Sequence, residues 1–101
     1  MPAVLSIDGT KELEIVMVTL DRPVTRDNEG KVYRSFREAK DNLLAQRCLS
    51  IPDVKEVYLM RTFIRVRKEH IGDWRIIVPA LKRVINHHFE KEDQCKAQQH
   101  R

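Results

Sequence analysis

Val54-Lys55-Glu56-Val57-Tyr58-Leu59-Met60-Arg61-Thr62-Phe63-Ile64-Arg65-Val66-Arg67 is the stretch whose reading decides the fold. Residues 54–60 and 63–67 are both rich in β-formers, and Arg61 and Thr62 mark a tight connection between them, so the stretch reads as an antiparallel hairpin. Side chains alternate across a strand, which places Ile64 and Val66 on one face and Phe63, Arg65 and Arg67 on the other. The hairpin therefore predicts a sheet with one oily and one basic face.

Downstream, Gly72-Asp73 opens the last element, where Asp73 can accept hydrogen bonds from the free amides of a first helical turn. Trp74, Ile77, Val78, Leu81, Val84, Ile85, His88 and Phe89 then keep a helical stripe. Pro79 lies inside that helix and is expected to kink it. From Glu90 to Arg101 the chain is wholly polar and reads as a frayed, disordered tail. Upstream, Ser50-Ile51-Pro52-Asp53 stops a helix that starts at Arg37 and buries Ala39, Leu43, Leu44 and Cys48. Lys31 to Phe36 reads as a short strand and Glu12 to Leu20 as a longer one, separated by Asp21-Arg22-Pro23 and the loop Arg26-Asp27-Asn28-Glu29-Gly30. Residues 1–11 end in the polar cluster Asp8-Gly9-Thr10-Lys11 and read as an extension. The expected fold class is α+β and two-layered. A four-stranded antiparallel sheet carries two helices on one face, in the order ββαββα. The domain spans residues 12–89, between the 1–11 extension and the 90–101 tail.

The chain has 101 residues, 42% of them hydrophobic and 34% charged, which suits one hydrophobic core and no second domain. No apolar run approaches the roughly 20 residues that cross a bilayer. The opening Met-Pro-Ala-Val-Leu-Ser-Ile-Asp has neither a basic leader nor a long apolar segment, so a cytoplasmic location is expected. The net charge is +4. Residues 55–68 hold five basic residues against one acidic, so the hairpin alone matches the charge of the whole chain.

Catalytic and metal-binding patterns are not found. Cys48 and Cys95 do not form a disulfide layout. A cluster normally needs four thiolates, so the two cysteines of one chain could at most contribute half a site, to be completed by a second chain across a dimer. Cys48 falls on an apolar helix stripe, where cysteine acts as a small buried hydrophobe. His87 and His88 are adjacent, so their side chains diverge by about 100° and cannot pinch one metal ion. With Cys95 and His100 they could form at most a weak adventitious site in the tail. Gly9, Gly30 and Gly72 make no phosphate-binding loop, and no nucleophile sits in a recognisable pairing with a base. The expectation is a non-enzymatic protein with no cofactor and no metal.

The open sheet face is the candidate site. Tyr58, Arg61, Phe63, Arg65 and Arg67 are the expected partner-binding residues, since aromatic and arginine side chains together are enriched at binding hot spots. Such a face can also be no more than a solvated surface whose charge discourages aggregation. An alternative reading makes it a binder of nucleic acid or of a phosphorylated ligand, with Tyr58 and Phe63 as stacking platforms. Against that, neither the element order nor the aromatic content matches the common RNA-binding sheet module.

Over roughly residues 16–89 the chain resembles the N-terminal domain of Nfu/NifU-type iron-sulfur scaffold proteins. The resemblance is carried by Arg22-Pro23-Val24, Phe36-Arg37-Glu38-Ala39, Ile51-Pro52-Asp53-Val54-Lys55-Glu56-Val57, Phe63-Ile64-Arg65-Val66-Arg67-Lys68-Glu69, and Asp73-Trp74 followed by Pro79. It implies an accessory or partner-docking role in iron-sulfur cluster assembly or delivery, with a scaffold or client protein as partner. The family's Pro-Asn-Pro-Asn type opening is replaced here by Gly9-Thr10-Lys11-Glu12. The Cys-x-x-Cys motif of the separate cluster-holding domain has no counterpart in this chain. Iron binding thus belongs to the family as a whole and carries over to no residue here.

Overall fold

The computed structural model describes residues 3–25 and 30–99, with 92–99 described by backbone alone. Among them the elements run β1 (Val4–Gly9), β2 (Ile15–Leu20), β3 (Lys31–Tyr33), α1 (Leu43–Leu49), β4 (Val54–Met60), β5 (Phe63–Lys68) and α2 (Trp74–Gln99). The strands form one antiparallel sheet in the order β1-β2-β5-β4-β3. The class is α+β as expected, but the sheet has five strands and the order is βββαββα, not the four-stranded ββαββα.

The added strand lies in the segment expected to be an extension. Its apolar residues do not alternate, because the register shifts between Val4 and Ser6, leaving Leu5 extra. A bulge of this kind inserts one residue and breaks the period of two. Val4 and Ile7 are then the half-buried positions, three apart. Asn86 on α2 fixes the start of the strand: its Oδ1 accepts from the Ala3 and Val4 amides at 2.9 and 3.0 Å.

The β4–β5 hairpin closes as the sequence predicts, with Met60 paired to Phe63 across Arg61 and Thr62. Val57 and Leu59 of β4, Ile64 and Val66 of β5, and Val16, Val18 and Leu20 of β2 form the inner face, all buried. Against them pack Leu44, Ala45 and Cys48 of α1 and Ile77, Leu81, Ile85 and Phe89 of α2. Both helices thus cover one face.

Two elements are shorter than expected. The strand predicted over 31–36 ends at Tyr33, and the helix predicted from Arg37 begins at Leu43. Between them, Ser35 Oγ accepts from the Glu38 amide at 3.1 Å and Glu38 Oε2 from the Arg34 amide at 2.8 Å. These bonds start a separate turn, which Asn42 ends by accepting the Ala45 amide at 3.0 Å as the N-cap of α1. Short polar side chains of this type compete with the helix for backbone groups. Conversely, α2 runs on past Glu90 to Gln99. It tolerates Pro79 because that residue lies on its exposed side, where the carbonyl left without a donor faces water.

Candidate functional site

Strand register builds the uncovered face in three rows. Ile15, Met17 and Thr19 of β2 lie opposite Arg67, Arg65 and Phe63 of β5. On the far side of β5, Arg67, Arg65 and Phe63 face Glu56, Tyr58 and Met60 of β4. The structure therefore brings together four of the five expected residues, Tyr58, Phe63, Arg65 and Arg67. Arg61 sits instead in the hairpin turn, at φ 48, with its carbonyl accepting the Val24 amide at 2.6 Å.

The arginines differ in their surroundings. Arg67 Nη2 lies 3.3 Å from Glu12 Oε2, and Arg34 Nε lies 3.5 Å from Glu56 Oε2. Arg65, at the centre of the face, has no carboxylate partner among the described residues; its guanidinium carbon lies 5.4 Å from the centroid of the Tyr58 ring. Tyr58 is also approached by the backbone of Gly30, so closely that a Cβ there would overlap the ring and its hydroxyl. Two contacts therefore hold the phenol, and it is only half exposed. Met60 and Phe63, 36% and 38% exposed, form an apolar pair at the turn end of the face.

On the other side of Arg65 is a depression of about 370 Å³ lined by Thr10, Lys11, Glu12, Ile15, Met17 and Arg65. Ile15 and Met17 are its apolar part, and the turn joining β1 to β2 is its wall. Thr10 Oγ1 holds that turn through the Glu12 and Ile15 carbonyls at 3.0 and 3.1 Å. Trp74 Nε1 donates to the Leu13 carbonyl at 2.7 Å and ties the turn to the start of α2. This half of the site escaped the sequence reading, although the period of two along Ile15, Met17 and Thr19 carried the signal for those three. Lys68 faces inward from β5 and is buried, its Nζ donating to the Glu69 and His70 carbonyls at 3.2 and 3.3 Å.

No cluster of three His, Cys, Asp or Glu side chains able to hold a metal ion occurs among the described residues. Cys48 is fully buried, and burial pushes its thiol up to about 12, which disfavours the thiolate that a metal requires. The side chain of Cys95, and His100 altogether, lie outside the described residues. His87 is exposed beside Arg83, Val84, Asn86 and Glu90 in a second concavity of about 590 Å³, whereas His88 meets the Phe89 ring edge-on at 4.9 Å. No helix described here is long and apolar enough to cross a membrane.

A family model described as scaffold protein Nfu/NifU N terminal matches residues 5–92. The crystal structure of protein SAV1430 from Staphylococcus aureus is 21% identical with a TM-score of 0.73, over 80% of this chain and 95% of that one. The solution structure of SeR13 from Staphylococcus epidermidis is 24% identical with a TM-score of 0.59, over 88% and 96%. The solution structure of SAV1430 is 22% identical with a TM-score of 0.63, over 82% and 89%. These likenesses support the fold. No curated protein matches the chain.

Proposed function

The chain belongs to the family of Nfu/NifU scaffold N-terminal domains, and from that premise we propose that it serves iron-sulfur cluster assembly or delivery as a non-enzymatic docking module. The uncovered sheet face carries this reading. It is a surface of Phe63, Met60, Tyr58 and Arg65 presented by strands whose other face is filled by the core. Exposed aromatic and arginine side chains on a rigid sheet favour recognition of another protein, and a buried thiol favours leaving the cluster to that partner. In scaffolds of this family the cluster sits on a Cys-x-x-Cys domain, which makes such a domain, or a client protein, the expected partner.

The alternative, nucleic acid or a phosphorylated ligand on the same face, has less support. A stacking platform needs an open ring face, and Tyr58 is already engaged by Arg65 and Gly30. The test is calorimetric titration of the chain with a cluster-loaded Cys-x-x-Cys scaffold domain and, separately, with single-stranded RNA. Binding of the scaffold that weakens in Phe63→Ala supports the proposal. Binding of RNA alone, falling steeply with added salt as phosphate contacts require, would refute it.

A further inference from the structure

The chemistry of the partner can be taken further, resting on the docking role of the face. We propose that the face receives an acidic α-helix, with an apolar side chain against Met60 and Phe63 and a carboxylate about one turn away on Arg65.

Three observations lead there. The first is charge. Arg67 and Arg34 have their carboxylates, Glu12 and Glu56, within the chain, whereas Arg65 has none among the described residues and lies over the Tyr58 ring, 5.4 Å from its centroid. A guanidinium beside a ring and without an ion-pair partner offers its donor fork to a carboxylate, which it binds in a planar, two-pronged geometry.

The second is spacing. Residues two apart on a strand are separated by about 7 Å, so Phe63 and Arg65 present an apolar and a cationic point at that distance. Side chains four apart on a helix lie about 6 Å from one another. A helix running along β5 with an apolar residue and a glutamate at that interval meets both points. A further apolar side chain can enter the depression over Ile15 and Met17 of β2, which Arg65 itself helps to line.

The third is backbone accounting. The strands around Arg65 are internal to the sheet, β5 being paired on both sides by β2 and β4. Their amides and carbonyls are already used, so no strand can add here. A segment that covers the Met60–Phe63 pair and excludes water must satisfy its own backbone groups, and a helix does so. The apolar points flanking Arg65 also distinguish a protein segment from a phosphate backbone, which has nothing apolar to set against them.

The probes are three amidated, alanine-rich 17-residue peptides, titrated into the isotopically labelled full chain and followed by amide chemical shifts. One carries Leu and Glu four apart, one replaces Glu by Gln, and one sets Leu and Glu two apart. The first peptide is expected to move the amides of Phe63, Arg65 and Met17. Affinity should fall at least about tenfold for the Gln and the misspaced peptides, and likewise for Arg65→Glu. Arg65→Lys should recover part of the loss, and melting curves of both variants report their folding. Absence of binding by the first peptide, equal binding of the Gln peptide, or shifts confined to another surface overturns the proposal. Titrating the scaffold domain into the same variants separates the two readings. If the scaffold binds regardless of Arg65, only the acidic-helix inference fails. If the helix binds at Arg65 and the scaffold does not bind at all, only the cluster-assembly role fails.

Discussion

Asp53 and Arg61 hold φ at 69 and 48, in the left-handed region where a side chain costs about 1 kcal/mol or more. At Asp53 the reason is visible in the sequence. Pro52 sets the second residue of a turn closed by the Val54 amide on the Ile51 carbonyl at 3.2 Å, and a type II turn needs positive φ at its third residue. Asp53→Gly is expected to raise stability by about 0.5–1 kcal/mol, read as a higher denaturation midpoint at unchanged slope. Arg61 has no such marker, since its conformation follows from the two-residue connection that the paired strands require. Cys48 was legible from its place on an apolar stripe. Replacing it by Ser puts a hydroxyl among Leu44, Ala45 and other core residues, and the expected loss is about 1–3 kcal/mol, again by denaturant unfolding. A result within 0.5 kcal/mol would mean that the hydroxyl finds a partner in the core.

Strands β4 and β5 were readable because both are dense in β-formers on either side of a two-residue connection, and β5 alternates strictly, although β4 has a register shift of its own between Val54 and Glu56. The β1 strand was not, because its bulge removes the alternation that marks a strand. The start of α1 is hidden in the sequence for a related reason: Ser35, Glu38 and Asn42 spend their side chains on local backbone groups and divide one periodic segment into a turn and a helix. What holds β1 is partly the contact with α2 through Asn86, over 82 and 83 positions of sequence, a pairing that no local pattern reveals. Asn86→Ala leaves two half-buried amides without their acceptor and is expected to cost about 1–3 kcal/mol. Hydrogen exchange should show the Ala3 and Val4 amides losing protection before those of β5. Equal protection in the variant would place the hold on β1 elsewhere, in its pairing with β2 alone.

Across the whole molecule, the sheet order could not be read from the elements, since β2 and β5 are neighbours despite the 42 residues between them. Half of the candidate site depends on that neighbourhood: it joins Met17 to Arg65, and so the depression to the basic row. Acid stability is likewise distributed. The hydrogen bond from Arg22 holds the Asp21 carboxyl below its ordinary range, and the side-chain and backbone hydrogen bonds of Arg75 do the same for Asp73. A carboxylate with a lower value in the folded chain stabilises it fully above the unfolded value of about 3.9. That contribution is lost as pH falls through the folded values beneath it. Asp21→Asn combined with Asp73→Asn should therefore flatten the drop in melting temperature below about pH 4. An unchanged slope would assign the acid sensitivity to other carboxylates.

The bond from Trp74 to the Leu13 carbonyl has an optical consequence. Trp74 is the single tryptophan of the chain, and its indole grips the same turn that walls the depression beside Arg65. Emission from that ring is consequently a built-in gauge of the turn. A guest that pries the wall outward would expose the indole N–H to water and redden the spectrum, whereas one that settles on Met60 and Phe63 alone would leave the colour unchanged.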